Sequence, residues 1–262
     1  MFVNKFGIEI EFLGMGSDTY CIVERLDTPG GARVFDADNG IDDNEPLAWY
    51  VKGDGSVQDK DGARESCPCC YEYEGEDEPC MECDSCSEFF GAEIVSSPMI
   101  FDTESQFAIR QLCYQLDRRD AYVNETCGLH VHVDASFVES MTQAQAQRFF
   151  EHIRTLYAKH EDIFDSRVKW KRQKDRNKYC RTMKYALAAK EDRSIDYDIS
   201  RYVKLNTCSY VRHGTIEFRH YHGTTDANEI IEWVKACLLF VNYARESFEA
   251  AERVAWETEM RA

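Results

Sequence analysis

Three short stretches of this chain alternate apolar and charged residues with a period of two: "GIEIEF" (7–12), "LHVHVD" (129–134) and "TIEFRHY" (215–221). Side chains two apart on a strand share a face. Ile8, Ile10 and Phe12 therefore oppose Glu9 and Glu11; Val131 and Val133 oppose His130, His132 and Asp134; Ile216 and Phe218 oppose Glu217 and Arg219. A chain with several such strands must build a sheet that buries one face and keeps carboxylates, imidazoles and a guanidinium on the other.

Further strands are expected in "WYVKGDGSV" (49–57), "GAEIVSSP" (91–98) and "RYVKLNT" (201–207). The last of these and "TIEFRHY" are separated by "CSYVRHG", where Gly214 can take a positive φ, so the pair reads as a hairpin. Helical spacing lies between the strands. Ala146, Phe149, Phe150, Ile153, Leu156, Tyr157, Ile163 and Phe164 form an apolar stripe behind a capping-box pattern of Thr142 and Gln145. Asp226 with Glu229 repeats that pattern before Ile230, Val234, Cys237, Leu238 and Val241, and Ala108, Leu112 and Leu116 mark a third helix. The expected fold class is α+β, a largely antiparallel sheet with packed helices.

The totals restrict the partners. With 31 basic against 48 acidic residues the formal charge is -17, which argues against non-specific binding to nucleic acid or an anionic membrane. No apolar run reaches the length of a membrane span, and the first residues alternate at once instead of forming a signal-peptide core. A soluble, cytoplasmic protein is expected. The 262 residues, 44% of them hydrophobic, can bury a sizeable core as one large domain or two small ones, and a single domain over 1–262 is expected.

One segment stands outside that plan. From Glu65 to Glu88 there are nine acidic residues and no basic one, and six of the 12 cysteines crowd into 67–86. Cys67 and Cys70, then Cys80 and Cys83, form two CxxC pairs, the ligand spacing of a tetrahedral structural zinc site; Cys69 and Cys86 are alternative ligands. An inserted zinc module is expected over 58–90, folded by its metal because it has little apolar surface to bury. An iron-sulfur cluster and disulfides are the competing readings.

Each polar strand face, taken alone, reads as a solvated side or a cross-strand ion pair. Together they present Glu9, Glu11, Glu93, Glu217, His130, His132 and Arg219 with hardly any lysine. Converging carboxylates repel one another unless a cation joins them. Oxygen ligands with an occasional imidazole suit Mg²⁺ or Mn²⁺, ions commonly held together with substrate phosphates.

These segments resemble a known family. "GIEIEF" is similar to the ExEF strand of glutamine synthetases and glutamate-cysteine ligases, "GLHVH" to their G-M-H-x-H segment, and "TIEFR" followed by Asn228 to their I-E-x-R…N signature. "GAEIVSSP" is similar to the E-[IF]-x-[ST]-P element of glutamate-cysteine ligases, and "WYVKGDGSV", "RYVKLN" and "FRHYHGTTD" resemble the compact amidoligase family of that superfamily. The resemblance implies a glutamine synthetase-like catalytic domain that joins a small-molecule or peptide carboxylate to an amine, with ATP, through an acyl phosphate. It implies Glu11 and Glu93 as ligands of a metal near the acyl substrate, and Glu9, His130 and Glu217 as ligands of a metal on the ATP phosphates. Arg219 would neutralise the transferring phosphoryl group, His132 and Asn228 would lie on the nucleotide side, and Asp54 would bind the amine or complete a metal shell.

Other readings remain. A non-catalytic adaptor could keep the fold and recognise partners through the zinc module. A cupin-type oxygenase needs a glutamate closer to the HxH than Glu139, and a hydrolase built on Cys127 and His130 would need residues three apart on a strand to share a face. Finally, 167–193 holds eleven basic residues against Asp175, Glu191 and Asp192; "KWKRQKDRNKYCR" reads as a mobile loop that closes over phosphates or as a solvated basic face.

Overall fold

A computed structural model describes residues 4–16, 18–27, 30–42, 44–59, 90–191 and 201–260. All six cysteines of the expected zinc module lie outside the described residues. The described strands are β1 (Phe6–Phe12), β2 (Arg33–Asp36), β3 (Ala48–Gln58), β4 (Phe90–Ser96), β5 (Gly128–Asp134), β6 (Leu205–Asn206) and β7 (Thr215–His222). The helices are α1 (Thr19–Leu26), α2 (Thr103–Arg118), α3 (Gln143–Asp165), α4 (Met183–Glu191), α5 (Ser209–His213) and α6 (Ala227–Glu259). The class is mixed α+β. No helix among the described residues is long and apolar enough to cross a membrane.

The backbone divides into two compact units, Gly7–His130 with His222–Glu232, and Met1–Phe6 with Val131–Tyr221 and Trp233–Ala262. In the first, the strand order is β2-β3-β4-β1-β5. Strand β4 pairs antiparallel with both β1 and β3, and β2 runs parallel to β3. Alternation puts Ile8, Ile10, Phe12, Ala92 and Ile94 into the core, each 0% exposed. Gly91 is required by close approach: a Cβ there would lie 2.4 Å from the Phe12 carbonyl oxygen and 2.3 Å from Val57 Cγ1. Helix α2 starts on a capping box of Asp102 and Ser105 and buries Ala108, Ile109, Leu112 and Leu116. Its buried Gln115 accepts from the Ala32 N–H at 3.0 Å and donates to the Leu26 carbonyl at 2.6 Å, which ties down the end of α1. Strand β2 and helix α1 are elements that the sequence pattern does not announce: β2 has a single buried side chain, Val34, too few for a periodic signal.

The second unit holds the later part of β5 beside β7 and β6. The expected capping box of Thr142 and Gln145 opens α3, whose Phe149, Ile153, Tyr157 and Phe164 are buried. Ile163 departs from the expected stripe and is 59% exposed, because one residue's rotation from Phe164 turns it outward. Tyr157 and Phe164 stack at 4.9 Å, and Trp233 and Phe240 of α6 meet the Phe164 ring edge-on at 5.8 and 5.4 Å. At the start of α6, Asp226 Oδ1 accepts from the Asn228 and Glu229 N–H groups, as the capping pattern requires, but the Asp226 N–H goes to Thr224 Oγ1 at 3.1 Å instead of to Glu229.

The strand expected over 201–207 shrinks to Leu205–Asn206, paired antiparallel with β7. The link to β7 contains the short helix α5, closed by Gly214 at φ 66°. The preceding Lys204 is fully buried; its ammonium contacts Asp165 Oδ1 at 2.6 Å and Glu161 Oε1 at 3.8 Å. The same two carboxylates fasten the basic segment, Asp165 Oδ2 accepting from the Lys174 N–H and Glu161 Oε1 from the Met183 N–H, while within the segment Asp175 Oδ1 accepts from the Thr182 N–H, all at 2.8 to 2.9 Å. Arg172 is buried inside it. A stretch whose sequence reads as a loop is thus hydrogen-bonded to helix α3 at its middle, through Lys174, and just beyond its end, through Met183.

Beside this network His220 accepts from or donates to the Tyr157 hydroxyl at 2.8 Å and is completely buried. Burial, then the nearby Lys204 charge, pushes its pKa well below 6.5. A histidine kept neutral in the fold contributes stability that is complete above the unfolded-state pKa and is lost as pH falls below it. The urea midpoint should therefore drop as pH is lowered from about 7 to 5, and His220→Gln should flatten that part of the profile.

Candidate active site

Cross-strand register assembles the site. Lys52 on β3 lies directly opposite Glu93 on β4, and Glu93 lies opposite Glu11 on β1. These three form one row across the polar face of the sheet, and Glu9 is two residues from Glu11 on that face. His130, on β5, completes the group: its Nδ1 is 2.9 Å from Glu9 Oε2 and its Nε2 3.7 Å from Glu11 Oε1.

Glu9, Glu93 and His130 can each present a ligand atom such that all lie within 4.8 Å of one another. The donor set is two carboxylates and an imidazole, mostly buried, with side-chain exposures of 18% for Glu9 and 8% for Glu93 and His130. Burial pushes the Glu93 carboxyl well above the usual carboxylate range, and the charge of Glu9 and a hydrogen bond with it push it further; Lys52 acts in the opposite sense. Burial and the neighbouring Glu9 make ionising Glu93 costly, a cost that a bound divalent cation would offset. These residues fit Mg²⁺ or Mn²⁺.

Glu11 is placed differently from its neighbours. Its Oε2 accepts the buried Gly128 N–H at 2.5 Å. That bond fixes the start of β5, and so the position of His130, while leaving Oε1 toward the imidazole. Lys52 Nζ is 2.9 Å from Glu93 Oε2. Burial acts against its charge, but Glu93 and Glu9 outweigh this and raise its pKa. Asp54, the next residue on that face of β3, is partly buried and uses Oδ1 to accept the Ser56 N–H and hydroxyl at 2.8 and 2.7 Å. Asn228 is exposed in the first turn of α6, where its Oδ1 accepts from Arg110 at 2.7 Å.

The second unit carries its own polar group. His132 Nδ1 is 2.9 Å from Thr215 Oγ1, and its Nε2 is 3.9 Å from Glu217 Oε1. Glu217 Oε2 accepts from Asn206 at 2.7 Å, and Glu217 Oε1 is ion-paired with Arg219, two residues on along β7. Ser209 Oγ bonds Thr215 Oγ1 at 2.8 Å. The imidazole, carboxylate and guanidinium are thereby held in defined orientations. Cys127, just before β5, is buried with Leu13 and Val57.

Two participants escaped the sequence pattern. Lys52 sits in "WYVKGDGSV", where alternation puts it on the face of Asp54, but only the β3–β4 register shows that it meets Glu93. Asn206 lies in a strand of two residues, too short for a period.

Residues 3–241 match the protein family described as "Putative amidoligase enzyme". The chain belongs to that family, as its motifs led one to expect. No curated protein and no solved structure matches it.

If the Glu11 bond to Gly128 anchors β5, Glu11→Ala leaves a buried N–H unsatisfied and should cost about 1–3 kcal/mol in urea unfolding. Glu11→Gln, which keeps an acceptor oxygen, should cost clearly less. Equal losses for the two variants would show that the bond does not matter to the fold.

Proposed function

We propose that the chain is an ATP-dependent carboxylate-amine ligase acting through an acyl phosphate. The observation that carries this is the convergence of Glu9, Glu93 and His130 on one buried polar face, in a chain whose family is described by amide-bond formation.

In this reading a carboxylate oxygen of the acyl substrate attacks the γ-phosphorus of ATP and ADP leaves. The amine then attacks the acyl carbon, loses a proton, and phosphate departs. Divalent metals supply charge compensation for the phosphates. Glu9, Glu93 and His130 would hold one such ion, with Glu11 beside them. The assignment that adds Glu217 to Glu9 and His130 as ligands of the nucleotide-side ion joins residues of the two units and rests on the motif resemblance alone. Arg219, oriented by Glu217, would offset charge on the transferring phosphoryl group, the task for which a fixed guanidinium is suited. His132, held by Thr215, and Asn228 would line the nucleotide, and Asp54 would receive the amine. The substrates are small-molecule or peptide carboxylates and amines.

The cysteine module is proposed as a structural zinc site with no chemical step. Metal analysis of freshly purified, reduced protein should give one or two zinc ions per chain, and iron with a visible chromophore would speak for a cluster instead.

The ligase reading is tested by mass spectrometry of reactions containing ATP, Mg²⁺ and panels of acids and amines. An adduct one water lighter than the sum of acid and amine should form together with ADP. Glu9→Gln and Glu217→Gln should each reduce turnover by at least about a hundredfold, the scale of losing one group that stabilises transition-state charge, with the thermal midpoint little changed. Wild-type turnover in either variant at limiting Mg²⁺ would remove that residue from the metal assignment.

A further inference from the structure

The carboxylate cluster of the first unit already has a cation in contact with it. Lys52 Nζ lies 2.9 Å from Glu93 Oε2, and the two residues are direct cross-strand partners, so the contact is built into the register. The two halves of the pair differ in freedom. Glu93 is 8% exposed and held in the sheet face, whereas the Lys52 side chain is 42% exposed. A lysine has four rotatable methylene bonds and a strongly hydrated head, so it can leave Glu93 for solvent or another anion at small cost.

Glu93 is also one of the three residues whose ligand atoms gather within 4.8 Å. A divalent ion drawing on Glu93 and Glu9 would compete with the ammonium for the same carboxylate and would repel it at short range. Both cations cannot hold Glu93 at full strength. The one that moves is the half-exposed lysine, and its tethered ammonium stays within reach of whatever anion binds over the cluster. Asp54, two residues further along the same face, cannot bind a substrate carboxylate in place of Lys52, because it is itself acidic and already accepts two bonds from Ser56.

We infer that Lys52 is a resident counter-ion of Glu93 that a divalent metal displaces, and that the released ammonium then anchors an anionic oxygen of the substrate, a carboxylate or phosphoryl group. The inference rests on the metal-dependent ligase reading given above. It gives Lys52 two duties: it holds the carboxylates together without metal, and it selects a negatively charged substrate when metal is present.

The test uses the full chain and Mn²⁺ alone, with free Mn²⁺ followed by electron paramagnetic resonance. Lys52→Met removes the competitor and should bind Mn²⁺ roughly tenfold more tightly than wild type, a fraction of the full Coulomb effect because the pair is half exposed. Lys52→Arg keeps a cation and should stay near the wild-type affinity. With Mn²⁺ saturating, inorganic phosphate as the anion probe should bind several-fold more weakly to Lys52→Met. A merely structural lysine would shift both affinities downward together. Unchanged or weaker Mn²⁺ binding by a folded Lys52→Met protein overturns the exchange. If wild type binds Mn²⁺ but not in competition with Lys52, the metal reading stands and this inference falls; if wild type binds no Mn²⁺, the metal reading itself fails. A measurement on wild type needs no variant to fold: acylation of Lys52, read by peptide mass spectrometry, should rise on adding Mg²⁺ and fall when phosphate follows. A decrease with Mg²⁺ alone refutes the displacement.

Discussion

The crowding of Glu9 and Glu93 is the constraint around which the first unit is arranged. Two carboxylates on adjacent strands, both largely buried, cannot stay fully charged in a low-dielectric setting without cations at hand. The sheet supplies the Lys52 ammonium 2.9 Å from Glu93, and on the other side a ring nitrogen of His130 lies 2.9 Å from Glu9. Because side chains alternate strictly along a strand, slipping β4 by one residue against β1 and β3 would turn Glu93 into the core and put Ile94 on the polar face. Packing of Ile8, Ile10, Ala92 and Ile94 thus enforces the geometry of the charged face from behind.

The second unit solves a similar problem by closure. Lys204 has no exposed surface and is shared between Asp165 and Glu161; Asp165 uses its second oxygen to accept the Lys174 N–H, and Glu161 accepts the Met183 N–H on the oxygen that faces Lys204. Taking three charged groups out of water is expensive, and only hydrogen bonds that satisfy the leftover lone pairs offset it. The consequence is a segment rich in lysine and arginine whose backbone is pinned while several of its cationic heads face solvent. Lys52, by contrast, sits at a pair left partly open. A sealed ion pair specifies structure; an open one can exchange its partner.

His132, Glu217 and Arg219 illustrate how a polar face becomes a set of oriented groups. Thr215 and Ser209 surround the imidazole, and Asn206 takes one Glu217 oxygen, leaving the other toward Arg219. None of these supporting side chains is charged, so they orient the ionisable groups without adding charge of their own.

The strands with period-two alternation, the apolar stripes of helices α2, α3 and α6, and the side of each strand on which Glu9, Glu93, His130, Glu217 and Arg219 fall were legible in the sequence, because these follow from local stereochemistry. Its motifs also led to the family. Strand β2, the shortness of β6 and the exposure of Ile163 were decided only by tertiary packing, since each depends on what lies opposite and not on the residue's own neighbours. So were the pairing of Lys52 with Glu93 and the fastening of the basic segment on Asp165 and Glu161. Charge alternation says which face a side chain takes, but register and helix placement decide which charge it meets, and those are set by the burial of the apolar side chains behind them.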